Sequence, residues 1–275
     1  MLTRFSHAIC LLGGLAFTSC HEDSTLLTTL DEQADATSPL LSVHEPERLA
    51  GSHATGDLTV DYTVQLKEDV YHLDLHVADK HLTAAANYND FSLSFDGQGQ
   101  FLTAAEALAL NATAVQLGER FFADNTDEHG DFQVTLAENT LFRVMDFFSY
   151  VPPNYAIGQY QVTDAGQQKS RNNDGVSCVR RGNYYTISWD DRRGNRTARD
   201  QAGRNRGGNY NCMARCGAGC GRWWIPSSWT LDCFEHDECS RQNNSSGGAA
   251  DGNCGDEWVH AADDWTFGVV RGCGG

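Results

Sequence analysis

The sequence predicts an α+β N-terminal domain followed by a small, disulfide-rich, mainly α-helical domain with two antiparallel core helices. The first observation is charge. Residues 1–163 carry 23 acidic and 6 basic side chains, whereas residues 164–275 carry 14 of each. The second is that eight of the ten cysteines and all six tryptophans lie in the latter segment. Segments that differ this much in composition are typical of separate domains.

The first 20 residues have the features of a signal peptide. Arg4 supplies a positive start, and residues 8–17 form a short apolar segment that ends in small and polar residues. The small residues before Cys20 also fit a bacterial lipoprotein site, in which Cys20 would be lipidated; simple cleavage is the alternative. The dense cysteines of the C-terminal segment favour an oxidising compartment. We therefore expect a secreted, extracellular protein.

The segment after the signal peptide is polar, contains Pro39 and Pro46, and predicts a flexible stem over residues 21–54. An acidic α+β accessory domain is expected over residues 55–162. Alternating apolar residues predict strands with one buried face at 58–66, 71–77 and 91–95. Apolar residues at helical spacing predict a helix over residues 102–122. No catalytic constellation is visible in this domain.

A basic stretch opens the C-terminal domain, which we place at residues 163–275. Between Lys169 and Arg222 there are 12 Lys and Arg and four acids. Such a stretch could contact anionic lipid headgroups, or the acidic first domain by intramolecular docking. Nucleic acid is not expected as a partner, because the whole chain has a net charge of −17 and phosphate binding needs clustered cations.

Two later segments carry the chemistry. Residues 229–242 lack Gly and Pro and predict a helix on which Cys233, His236, Asp237 and Ser240 share one face. An imidazole and a carboxylate therefore project together. Upstream, residues 212–221 contain three glycines among three cysteines, which lets backbone carbonyls turn towards a hard cation such as calcium.

These two motifs together resemble secreted phospholipase A2, in its compact microbial and fungal branch. The family has a Cys-Gly-x-Gly calcium loop followed by a helix with Cys-x-x-His-Asp-x-Cys. Here the loop motif is Cys216-Gly-Ala-Gly219, and the helix motif runs from Cys233 to Cys239. The resemblance covers about residues 210–273. The chain departs from the family pattern at Asp232, where a second Cys is usual, and at Ser240, which replaces a Tyr.

The resemblance implies a calcium-dependent hydrolase of lipid degradation that cleaves the sn-2 ester of glycerophospholipids at a membrane or micelle surface. His236 would be the general base that activates a water, and the Gly217 N–H would stabilise the oxyanion. The Ca²⁺ ligands would be the Asp237 carboxylate and the carbonyls of Arg215, Gly217 and Gly219. No Gly-x-Ser-x-Gly motif indicates a covalent acyl-enzyme.

The catalytic histidine also needs an orienting carboxylate, which we expect on a second helix over residues 254–265. If Cys239 bonds Cys254, as the resemblance implies, His236 lies about 4.5 Å along the helix from that bond. Asp256 then lies about 3 Å beyond the bond and Asp263 about 13.5 Å beyond it. This spacing favours Asp256, with Asp263 as the second candidate.

The resemblance also implies a Cys216–Cys233 disulfide. We further expect Cys212–Cys273 and Cys178–Cys220. Two other classes of protein remain open: a catalytically inactive module of the same shape that binds lipid or protein, and a structural zinc module built from the clustered Cys and His236. Export favours disulfides over zinc, and the Cys-x3-Cys-x3-Cys spacing is not typical of zinc sites.

Overall fold

Seven antiparallel strands form one sheet in the N-terminal part of the computed structural model, which describes residues 40–122, 134–153, 155–162, 175–203, 211–217, 225–245, 248 and 251–274. Each strand pairs with its neighbours in the sequence. The strands are β1 (Val43–Glu45), β2 (Arg48–Thr55), β3 (Leu58–Lys67), β4 (Val70–Val77), β5 (Lys80–Asn87), β6 (Ser92–Phe101) and β7 (Ala156–Val162). Helices α1 (Ala104–Phe122) and α2 (Leu136–Ser149) lie between β6 and β7 in the chain.

One face of this sheet is apolar and is covered by the two helices. In β4 the buried and exposed residues alternate strictly, so that Leu73 and Leu75 enter the core while Asp74 faces solvent. The predicted strands at 58–66, 71–77 and 91–95 are confirmed as β3, β4 and β6. Strand β5 was not predicted, because two of its three buried residues are alanines and give little contrast with their neighbours.

Both helices of this part begin with the same local signal, Thr-x-x-Glu. Glu138 N donates to Thr135 Oγ1 at 3.2 Å, and Thr135 N donates to Glu138 Oε2 at 2.7 Å. Thr103 and Glu106 exchange the same two bonds at the start of α1. This capping box satisfies backbone N–H groups that a helix start leaves without intrahelical partners. The helix predicted over residues 102–122 is confirmed as α1.

The flexible stem predicted over residues 21–54 needs correction at its C-terminal end. Strands β1 and β2 occupy most of residues 43–55, and β2 pairs with β3 along its whole length. No apolar alternation marks β2 in the sequence, because Leu49 is its single fully buried apolar side chain. The signal peptide, Cys20 and stem residues 21–39 lie outside the described residues.

The predicted fold class of the C-terminal domain is wrong. This part is not mainly helical: its first described elements are the antiparallel hairpin strands β8 (Tyr184–Asp191) and β9 (Gly194–Gln201). Helices α3 (Leu231–Asn243) and α4 (Gly255–Phe267) follow, and both confirm predicted helices. The strands were underestimated because β9 is polar along most of its length and shows no apolar alternation.

The hairpin is fastened to the two helices by buried glutamates. Ser188 N donates to Glu235 Oε1 of α3, and Asp190 N donates to Glu257 Oε1 of α4, each at 2.7 Å. The two glutamates are only 6% and 1% exposed. Carboxylates that accept backbone N–H bonds in the interior satisfy both groups at once.

Disulfides join the C-terminal elements. Cys216–Cys233 and Cys239–Cys254 are present, as the resemblance implied. The other two expected pairings, Cys212–Cys273 and Cys178–Cys220, are wrong, because Cys178 bonds Cys273 instead. That bond spans 95 residues of sequence, and no local pattern indicates which distant cysteines meet.

Helix α4 packs against the N-terminal part. Phe147 stacks on Trp258 with ring centroids 4.1 Å apart, and Asn139 Nδ2 donates to the Thr266 carbonyl at 2.8 Å. The described residues from Leu40 onwards form one compact unit. The predicted domain limits, 55–162 and 163–275, and the docking of the acidic domain on the basic stretch stay predictions. Among the described helices, none is long and apolar enough to cross a membrane.

Candidate active site

Helix α3 carries the predicted general base and the predicted calcium carboxylate. His236 and Asp237 lie in its middle and are both half-buried. Thr230 is the N-cap residue of α3, but its side chain makes no capping bond. Instead, Asp232 N at the start of the helix donates to Asp264 Oδ2 of α4 at 3.2 Å. The second helix therefore supplies the cap that the local sequence does not.

The loop before α3 is held by backbone pairing as well as by its disulfide. Cys216 N donates to the Ser228 carbonyl at 2.9 Å, and Thr230 N donates to the Ala214 carbonyl at 3.0 Å. This bridge pairs Arg215 with Trp229 and uses the peptide groups on either side of Arg215. The Arg215 carbonyl, a predicted calcium ligand, is therefore not one of the groups that hold the bridge.

Gly217 is exposed and has a φ of +101°, a conformation that side chains rarely adopt. A Cβ at this position would lie 2.8 Å from Cζ3 of Trp265. The indole is fixed in turn, because Trp265 Nε1 donates to the Arg143 carbonyl at 3.0 Å. Both the conformation and the close approach thus require glycine here.

The structure brings this loop and Asp237 together. Ala214 N donates to Asp237 Oδ2 at 2.9 Å. Burial raises the pKa of Asp237 well above its usual value, while the bond from Ala214 lowers it and the nearby Glu238 raises it further. A carboxylate in such a place is stabilised in its charged form by a nearby cation. No Lys, Arg or His side chain pairs with Asp237 among the residues that the structure describes.

The antiparallel helices α3 and α4 are joined at two levels around His236. The Cys239–Cys254 disulfide lies three residues after it, and the Asp232–Asp264 bond lies four residues before it. Counting from these two joints, the part of α4 level with His236 falls between residues 257 and 260. Asp256 and Asp263 are each within about 9 Å of that level along the axis, so neither is too distant along the helix.

Burial distinguishes the two candidate orienting carboxylates. Asp256 is exposed in the first turn of α4, whereas Asp263 is 0% exposed. Asp263 Oδ1 accepts the N–H of Asp264 at 2.8 Å. A buried and fixed carboxylate is better suited to orient an imidazole than one that moves in solvent.

A second group of acids was not predicted. Asp232, Asp263 and Asp264 are all buried, and one oxygen of each lies within 4.8 Å of the others. Among the described residues this is the one group of three or more Asp, Glu, His or Cys that could hold a metal ion in this way. The helical spacing of Asp232 and His236 was visible in the sequence, but the approach of Asp264 from another helix was not.

Acidic groups on α4 also have altered proton affinities. Burial and, to a smaller extent, a hydrogen bond with the neighbouring Asp256 raise the pKa of Glu257 to about 8, while the bond from Asp190 N opposes the shift. Burial lowers the pKa of His260, against the influence of Asp256 and Asp190. The interface between α4 and the hairpin therefore contains titratable groups that favour their neutral forms.

One predicted site residue, Gly219, the third carbonyl ligand, lies outside the described part of the chain. The other predicted residues are described: His236 and Asp237 on α3, Arg215 and Gly217 in the loop that bonds Asp237 through Ala214, and Asp256 and Asp263 on α4.

Comparison with known proteins adds one match. A family model described as a domain of unknown function, DUF8213, matches residues 174–275. That range includes the hairpin, the loop, both C-terminal helices and every predicted site residue. No curated protein and no solved structure matches the chain. The resemblance to secreted phospholipase A2 stays an interpretation of the two motifs.

Proposed function

We propose that this protein is a calcium-dependent hydrolase that cleaves the sn-2 ester of glycerophospholipids to a fatty acid and a lysophospholipid. One observation carries the proposal, namely the bond from Ala214 N to Asp237 Oδ2. This bond holds residues 212–217, the described part of the glycine loop, against the helix of His236. The two motifs are 19 residues apart from Gly217 to His236. Their side-by-side position is what a shared site for a cation and a base requires.

His236 is the general base in this proposal. One ring nitrogen takes a proton from a water while the water oxygen bonds to the ester carbonyl carbon. The negative charge moves to the carbonyl oxygen, where the Gly217 N–H can donate a hydrogen bond. When the ester C–O bond breaks, the same imidazole returns the proton to the glycerol oxygen. Atoms and charge balance without a covalent enzyme intermediate.

The oxygen-rich donor set fits a hard cation such as Ca²⁺. The half-buried Asp237 carboxylate would be the charged ligand, and the Arg215 and Gly217 carbonyls would be neutral ligands, together with Gly219 from outside the described residues. When bound, the ion would polarise the ester carbonyl and neutralise the substrate phosphate. The disulfides favour an exported protein, in line with the proposed extracellular role.

The testing experiment measures fatty acid release from phospholipid vesicles by the full chain, with calcium and with a calcium chelator. We expect release with calcium alone, and we expect His236→Gln to remove nearly all of it while calcium affinity changes by no more than a few-fold. His72→Gln, at an exposed position on β4, is the matched control and should keep full activity.

The main alternative is an inactive module that binds lipid or protein. Vesicle binding without fatty acid release in either condition would favour that alternative. Activity of His236→Gln near that of the wild type would show that the base is assigned to the wrong residue.

A further inference from the structure

Arg143 of helix α2 is a fully buried cation at the contact between the N-terminal part and the candidate site. Its side chain is 0% exposed, and it forms no ion pair with the described residues. Nη1 has no hydrogen-bond partner in the described part of the chain. Burial lowers the pKa of Arg143 to about 10, against the influence of the nearby Asp146 carboxylate, so the guanidinium keeps its charge at neutral pH.

The contacts that Arg143 does make are few and specific. Nη2 donates to the Pro226 carbonyl at 2.6 Å, and Nε lies 3.4 Å from Asn139 Oδ1. Its Cζ is 4.2 Å from the ring centroid of Trp265 and 5.2 Å from that of Phe142. Attraction between a cation and aromatic faces offsets part of the cost of burial.

A purely structural role does not require arginine at this position. Burying a charge that forms no ion pair is expensive, and apolar side chains of similar volume often replace buried ionic groups without loss of stability. The guanidinium is surrounded by the aromatic rings of Phe122, Phe142 and Trp265, which an apolar side chain could contact equally well. The guanidinium therefore needs an explanation beyond packing.

The two main contacts of Arg143 are with the Trp265 ring and the Pro226 carbonyl, and each connects it to a different side of the glycine loop. Trp265, under the guanidinium, is the ring that closes on Gly217. Pro226 lies two residues before Ser228, whose carbonyl accepts the N–H of Cys216. A single side chain thus supports both the ring beneath the loop and the strand that pairs with it.

We propose that Arg143 is a positioning residue for the glycine loop, so that the N-terminal part of the chain contributes to the site contained in residues 174–275. This inference rests on the proposed function for its catalytic consequence, but not for its structural one. The guanidinium fixes the plane of Trp265 and the position of the Pro226 carbonyl. In this way it fixes the direction of the Gly217 N–H and of the loop carbonyls.

The test compares the full chain with Arg143→Met, Arg143→Lys and Arg120→Met. Met keeps apolar volume, Lys keeps the charge but loses the flat face, and Arg120 is an exposed control at the end of α1. Three quantities are measured: the melting temperature, hydrogen exchange of the Cys216 and Thr230 amides, and calcium affinity by titration calorimetry.

We expect Arg143→Met to melt at or above the wild-type temperature, while both amides exchange about tenfold faster and calcium binds at least about tenfold more weakly, as for supporting residues of other metal sites. Arg143→Lys should give amide exchange rates and a calcium affinity between those of the wild type and Arg143→Met. Unchanged exchange of the two amides would overturn the proposal, as would a lower melting temperature with faster exchange throughout the protein. If the wild type binds no calcium, the proposed function fails, and the exchange of the two amides still decides the role of Arg143.

Discussion

The backbone N–H of Ala214 donates to the carboxylate of Asp237, at 2.9 Å and across 23 residues of sequence. The bond joins a loop with little regular structure to the middle of a helix. It leaves the second carboxylate oxygen of Asp237 to face other partners. One carboxylate therefore secures the loop, and in the proposed function it is also the charged ligand of the cation.

Asp237→Asn separates these two roles, because an asparagine oxygen still accepts the Ala214 N–H while the charge is lost. We expect calcium affinity to fall by more than about 100-fold, since changes in supporting residues alone cost about 10–100-fold in metal sites. Thermal stability without calcium should stay the same or rise, because a buried charge is removed. Titration calorimetry and thermal melts measure the two effects.

The control for this prediction is Asp61→Asn, at an exposed position on β3. It should change neither property. Equal calcium affinity in Asp237→Asn and the wild type would exclude Asp237 as the charged ligand.

Gly217→Ala tests the close approach to Trp265. Gly182 is the matched control, because its φ is +90° but a Cβ added there would have no atom within 4 Å. Gly182→Ala should cost about 1–2 kcal/mol of unfolding free energy from backbone conformation alone. Gly217→Ala should cost more, because the new methyl group also meets a fixed indole. Denaturant unfolding of the two variants gives the comparison. Equal losses of unfolding free energy would show that Trp265 moves to accommodate the new methyl group.

Asp263→Asn and Asp256→Asn distinguish the two candidates for the orienting carboxylate. The burial of Asp263 leads us to expect a loss of about 100-fold or more in kcat for Asp263→Asn, with KM little changed, as for a residue that acts in the transition state. Asp256→Asn should retain activity within about fivefold, since exposed groups orient poorly. Steady-state kinetics on a soluble ester make the measurement. A larger loss of kcat in Asp256→Asn than in Asp263→Asn would instead assign the orienting role to Asp256, which the spacing in the sequence favoured.

Glu257→Gln tests the raised proton affinity on α4. The pKa of Glu257 is about 8 in the folded state against an ordinary value of 4.5. Between these values the folded state binds more protons than the unfolded state, so this group makes the unfolding free energy fall as pH rises. The slope is at most about 1.4 kcal/mol per pH unit. Below the ordinary value the contribution is constant, and above the folded-state pKa the loss is complete.

Glutamine stays neutral and can still accept the Asp190 N–H, so the variant should gain stability relative to the wild type as pH rises from 4.5 to about 8. Denaturant melts across this range measure the difference. Glu119→Gln, at an exposed position on α1, is the control. A constant difference between Glu257→Gln and the wild type across the range would contradict the raised pKa.

Local patterns predicted much of this structure. Alternation in β4, helical spacing in α1 and the composition of the His236–Asp237 helix each predicted the element that the structure shows, whereas α2 was not predicted although its Thr-x-x-Glu start is visible in the sequence. Strand β2 was not predicted, because Leu49 is its single fully buried apolar side chain. The helical motifs in the last quarter of the chain led to the prediction of a mainly helical domain. Strand β9 gave no contrary signal, because its sequence has no apolar alternation.

The remaining features depend on residues that are distant in sequence. Asp264 caps α3 from another helix, and Cys178 reaches across 95 residues to Cys273. Arg143 is an isolated basic residue in an acidic segment, and although apolar residues flank it, an arginine is rarely expected in a core. Such contacts are set by the packing of whole elements, so a single sequence contains no periodic signal for them.

The glutamates that fasten the hairpin have a consequence for association between molecules. Strand β8 pairs with β9 on one side, and the N–H groups of Ser188 and Asp190 on its other side are taken by Glu235 and Glu257. An incoming strand from another molecule would therefore find those two donors already bonded. The same two bonds that hold the hairpin to the helices thus oppose its growth into larger sheets between molecules.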